Sequence, residues 1–129
     1  MSDIIQIYIV SIFQIIIAFG LINVWLVRFH KPTKYRGAGA GNMADEFAVY
    51  GLPKWFMYMV GAGKIVIATL MIIGFWIPVV IFPASALLVI LMVGAVSMHI
   101  KVKDPFVRSL PAIMMLLMAL VNVVLIRII

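Results

Sequence analysis

The sequence predicts an all-α integral membrane protein: a four-helix transmembrane bundle with a long basic first loop that contains a short interfacial helix. Composition is the first sign. The 129 residues are 67% hydrophobic and 11% charged, with a mean hydropathy of +1.28, whereas soluble domains are roughly 45–50% apolar and ~25% charged. A soluble core of this length could not hide so much apolar surface, because even a 150-residue domain leaves roughly 30% of its surface in water. Length is the second sign, since four stretches approach the about 20 apolar residues that a span needs. The third is charge, which gathers in two of the connections.

The first span covers residues 4–27. It follows Asp3 with no basic stretch and no short apolar core, so it reads as a retained span and not as a signal peptide. Ser11, Gln14 and Ala18 share one of its faces, with Asn23 opposite. The loop of residues 28–54 carries Arg28, Lys31, Lys34, Arg36 and Lys54. Its glycines at 37, 39 and 41 fail as a dinucleotide fingerprint, because Asn42 stands where the third glycine belongs and no strand precedes them. They read as a flexible connector, and the loop's length also suits a flap over a cavity that opens to the cytoplasm. Asn42 is placed to cap the short helix with Asp45 in its first turn, leaving Phe47, Val49 and Tyr50 to touch the membrane.

The second span covers 55–75 and holds Gly61, Lys64 and Ala68 on one face. Gly74 and Pro78 bracket a tight hairpin, with Trp76 at the interface. The third span, 79–98, has Pro83 early in its course and a stripe of Ala86, Gly94 and Ser97, and His99 closes it. In the loop 99–109, Ser109 is placed to cap the fourth span, 110–126, with Pro111 in the first turn. Ala119 and Asn122 complete the small and polar faces, a pattern that suits close helix packing. All four spans form one domain over 1–129.

Eight of the ten basic residues lie in the first and third loops. The positive-inside rule then expects loops 28–54 and 99–109 in the cytoplasm, both termini outside, and a bacterial inner membrane as the default. A net charge of +6 fits loops facing anionic lipid, and nucleic acid is not an expected partner. Without cysteine there is no thiolate chemistry, disulfide or Cys-ligated metal. His30 and His99 form no ligand pair, and the ten methionines suit apolar packing better than copper. With no nucleophile, acid pair or metal set, catalysis by this chain alone is not expected.

The stretch "FAVYGLPKW" (Phe47 to Trp55), then "VGAGKIVIATLMIIG", then a third span ending "GAVSMHIKVKD", resembles the DoxX-like family of small four-helix membrane proteins. The resemblance implies a four-helix bundle. It also implies roles such as a subunit of quinone-linked sulfur oxidation, a partner in membrane redox complexes, or a chaperone for membrane-protein assembly. Lys64 stands where that family commonly has a glutamate, and a dithiol role cannot transfer to a chain without cysteine.

Lys64 is the residue that asks for an explanation. It lies about ten residues, roughly 15 Å, inside its helix, where a charge costs about 2.5–3.5 kcal/mol on insertion scales. The acids Asp3, Asp45, Glu46 and Asp104 all lie outside the spans. Three readings follow: snorkelling to the surface, an ion pair with a partner subunit, or contact with an anionic lipid or a quinone carbonyl. The partner- or ligand-binding candidates are therefore Lys64, Gln14, Gly61, Ala68, Ser97, His99 and Asn122. The first functional reading is a non-catalytic accessory or assembly subunit of a larger membrane complex, or a homo-oligomer. The alternative is a quinone- or lipid-binding component of an oxidoreductase, with no intrinsic cofactor, and a small transporter or channel comes third.

Overall fold

The computed structural model describes residues 3–128. Five helices follow in order: α1 (Asp3–Ile22), α2 (Met43–Tyr50), α3 (Lys54–Ile73), α4 (Ile81–Lys101) and α5 (Phe106–Ile128), with a π-helical turn, Asn23–Val27, prolonging α1. Four segments are long and apolar enough to cross a membrane: Asp3–Val27, Lys54–Ile73, Pro78–Lys101 and Phe106–Arg127. The helix α1 packs on α3 and α5, and α4 packs on the same two, so the chain runs up and down around a ring. This is a multi-pass membrane protein.

The core forms where small residues let helices approach. Ala18, Ala68, Ala84 and Ala119 are buried among Ile17, Ile67, Met71 and Leu88. The outward faces remain apolar, with Ile4, Phe19, Val66, Ile90, Leu117 and Val124 exposed, as expected of helices whose solvent is lipid. The α3–α4 hairpin is tight because Gly74 has no side chain, and a Cβ there would stand 2.5 Å from Ile81 Cγ1.

The connection between α4 and α5 is shorter than the 99–109 loop expected from the sequence. Helix α4 continues to Lys101 and α5 begins at Phe106. Lys103 takes a left-handed φ of 57°, its N–H bonds Ile100 O at 3.0 Å, and the Asp104 N–H bonds His99 O at 3.0 Å. This is the Schellman pattern with lysine in the usual glycine position. Ser109 consequently lies inside α5, donating Oγ to Phe106 O at 2.8 Å, and does not cap it. Pro111 is likewise the sixth residue of the helix and not part of its first turn.

The first loop also departs from a flexible connector. Arg36 is 3% exposed and donates Nε to Lys31 O at 2.9 Å, Nη1 to Glu46 Oε2 at 2.8 Å, and Nη2 to Arg28 O. One guanidinium thus satisfies the loop's carbonyls from inside. Asn42 caps α2 as its side chain suggests, accepting the Asp45 N–H at 2.8 Å. Gly51, at φ 78°, ends the helix, with the Leu52 N–H on Phe47 O and the Gly51 N–H on Ala48 O.

Candidate functional site

Of the three α2 residues expected to touch the membrane, Phe47 and Tyr50 point inward instead. Met43, Phe47 and Tyr50, spaced i, i+4, i+7, are buried, and Val49 is exposed. The reason is an aromatic partner that the chain brings from α1. Phe47 meets Trp25 edge-on at 5.9 Å between ring centroids, Met43 and Met57 complete that cluster, and Tyr50 meets the His99 ring at 6.1 Å. The first loop with α2 therefore closes over the bundle as a lid.

Beneath it lies a cavity of about 880 Å³. Its deeper wall is apolar, with Leu91, Met92, Ala112 and Met115, while Glu46, Tyr50, Lys64, His99 and Arg108 bring polar groups to it. Such a mix of apolar wall and few polar groups is typical of small-molecule sites.

Lys64 is turned into this cavity. Its Nζ sits 5.1 Å from the centre of the Trp25 ring, and among the described residues it makes no hydrogen bond or ion pair. A cation over an indole face gains about 0.5–2 kcal/mol, more as water is withdrawn. Gly61 makes the arrangement feasible, since a Cβ there would stand 2.6 Å from the Trp25 ring. The π-helical turn sets Trp25 at this height, with the Arg28 N–H reaching back to Asn23 O at 2.8 Å.

The lid is tied down by Asp104, whose side chain is 2% exposed. It accepts from His99 Nδ1 at 2.7 Å, Arg108 Nη1 at 2.9 Å and the Ala38 N–H at 2.9 Å. Ala38 holds a left-handed φ of 52° at that contact. Burial alone would raise the Asp104 carboxyl, but the hydrogen bonds from His99, Ala38 and Arg108 outweigh it and hold the group below its ordinary value. A second tie runs from Lys101 Nζ to Tyr50 O at 2.7 Å. Glu46 accepts from Tyr50 Oη at 2.8 Å and the Gly37 N–H at 3.2 Å. Burial first, and then the Glu46 charge, raises the Tyr50 phenol well above its ordinary value, so it remains a neutral donor.

Only some of the candidate residues meet here. Lys64 and His99 line the cavity, and Gly61 admits the indole. His99 is buried against Asp104, not solvated at the surface. Gln14 instead ties α1 to α3, donating Nε2 to Met71 O at 2.8 Å, and Ala68 is core. Asn122 is fully buried, and among the described residues its amide atoms have no partner; the same holds for Ser85 Oγ. Ser97 is exposed and donates to Val93 O at 2.7 Å, because the buried face of α4 runs through Ser85, Leu88, Met92 and His99. Trp25 and Asp104 were missed as site residues by sequence reasoning, and Tyr50 was read as a membrane contact. The positive φ at Lys103 that returns Asp104 to His99 has no glycine to announce it.

Fold and site together define a small helical membrane protein with a lidded cavity among its helices. Residues 12–121 match the model of the DoxX-like family, and the chain belongs to that family. No curated protein and no solved structure matches it significantly.

Proposed function

We propose that this DoxX-like protein is a non-catalytic accessory component of its membrane that receives an amphiphilic small molecule, a lipid or a quinone, beneath the first loop. The observation that carries this reading is Lys64, a half-buried cation that lines the cavity and is held over Trp25. A ligand's polar head can reach that amine from within the cavity, whereas a partner subunit's acid would have to enter the bundle. Depth supplies affinity through the apolar wall, and the few polar groups supply orientation. With the basic loops in the cytoplasm of a bacterial inner membrane, the lid faces the cytoplasm.

The test is an inventory by mass spectrometry of proteins, lipids and quinones that remain with the protein after gentle solubilisation of its native membrane. One stoichiometric amphiphile, lost from a folded Lys64→Met variant, is expected. A stoichiometric subunit bearing an intramembrane acid, with no bound amphiphile, would overturn the reading and make Lys64 an assembly contact.

A further inference from the structure

The charge around the cavity names the head group, an inference that rests on the amphiphile reading above. Arg28, Lys34, Arg36, Lys64 and Arg108 line the cavity, and Glu46 is the acid among its lining residues. Arg36 is matched by Glu46 at 2.8 Å and Arg108 by Asp104 at 2.9 Å. Glu46 is further occupied by Tyr50 and Gly37. Arg28, Lys34 and Lys64 make no ion pair among the described residues. The first two are exposed at the rim, where water and salt screen them. Lys64 stands deeper, over an aromatic face and with only the more distant Glu46 charge, already paired with Arg36, acting on it, and a cation so weakly compensated at that depth is costly.

A quinone carbonyl can accept a hydrogen bond from the amine but leaves its charge in place. A carboxylate or phosphate does both, and charge-assisted bonds are roughly twice as strong as neutral ones.

The cavity also reaches the outer surface of α4. Ile90 and Gly94 line it, yet Ile90 is 67% exposed and a Cβ on Gly94 would meet nothing within 4 Å. Across the seam, a Cβ on Gly63 of α3 would touch Leu91 Cδ1 at 3.8 Å. These glycines keep the α3–α4 seam low beside an apolar surface. The cavity, about 880 Å³, falls within the size of small-molecule sites, about 300–1,000 Å³.

We propose that the ligand is an anionic single-chain amphiphile, its carboxylate or phosphate on Lys64 Nζ and its chain lying toward the α3–α4 seam at Ile90 and Gly94. The bilayer would then deliver it sideways, without passage through the lid.

Trp25 provides the readout. In a Trp55→Phe, Trp76→Phe background, both removed side chains being exposed, it is the sole tryptophan of the three. The protein is placed in zwitterionic nanodiscs and titrated with three chain-nitroxide probes: stearic acid, its methyl ester, and lysophosphatidic acid. At least one anionic probe should quench Trp25 saturably, with half-saturation about tenfold or more below the ester's, the factor expected of a charge-assisted bond. Which anion binds more tightly identifies carboxylate or phosphate. Lys64→Met should bring the anions to the ester's level, and Lys64→Arg should keep the preference. Should the methionine variant fail to fold, the ester comparison in the parent and arginine proteins decides. Equal quenching by ester and anions would overturn the anionic head while leaving the amphiphile cavity standing. No saturable quenching by any probe, in protein that also purifies without a bound amphiphile, would overturn both.

Discussion

Replacing Asp104 with alanine should release the first loop while leaving the bundle assembled. Three bonds are lost, from His99, Arg108 and the Ala38 N–H. They do not count equally. Arg108 is 30% exposed and regains water, so its pair weighs as a surface pair does, about 0–1 kcal/mol. The Ala38 contact is exposed and its N–H is rehydrated on opening. His99, with a side chain 9% exposed, is left with an unmatched ring nitrogen, which costs about 1.5–3 kcal/mol. The sum is about 1.5–4 kcal/mol, or roughly 10- to 900-fold in the equilibrium between closed and open lid. Hydrogen exchange of amides 31–42 in nanodiscs reads this directly, and those amides should exchange faster by that factor while those of α1 and α3 hold. Unchanged exchange over 31–42, or equal acceleration throughout the bundle, would refute the latch. The pH dependence has a definite sign. A carboxyl held low in the folded protein stabilises it above the unfolded value of about 3.9, and the contribution fades as pH falls through the folded value. An acid step in lid protection below about pH 4 should therefore be present in the parent protein and absent from Asp104→Ala.

Two further substitutions probe the frame around the site. Lys103→Gly removes a side chain from the left-handed region and should stabilise the α4–α5 turn by about 0.5–1 kcal/mol, seen as a higher midpoint in thermal unfolding; a lower midpoint would show that the lysine stem contributes more than the strain costs. Asn122→Leu removes a buried amide without a partner among the described residues, so stability should hold or rise by about 1–2 kcal/mol. A loss of that size would mean that the amide has a hydrogen-bond partner.

The spans were legible because a long apolar run has little alternative to crossing a bilayer, and each of the four runs is followed closely by a helix. Asn42 was legible because a cap is a local contact, three residues long. The face of α2 was not, since Phe47 and Tyr50 look like membrane anchors until Trp25 and His99 are known to stand opposite them. Lys64 could be picked out as unusual, but its neighbour comes from a different helix, and no spacing within α3 announces an indole. Ser97 illustrates the opposite error. Its stripe with Gly94 is a true helical face, yet periodicity says which residues share a side and not which side faces in. Ser109 and Pro111 resemble a helix start, and that start lies upstream because Pro105 directly precedes the first residue of α5.

The π-helical turn at Asn23–Val27 has a consequence for how this protein can vary. Such a turn holds one residue more than the α-helical turn it replaces. Removing a single residue between Ile22 and Arg28 would let α1 run on as an ordinary helix, with its contacts as far as Leu21 unaltered. The chain leaving α1 would emerge about 100° around the helix axis from its present direction. The indole would leave the amine, and the first loop would be aimed at another side of the bundle. A one-codon length change at this point could thus redirect the lid without disturbing the four spans.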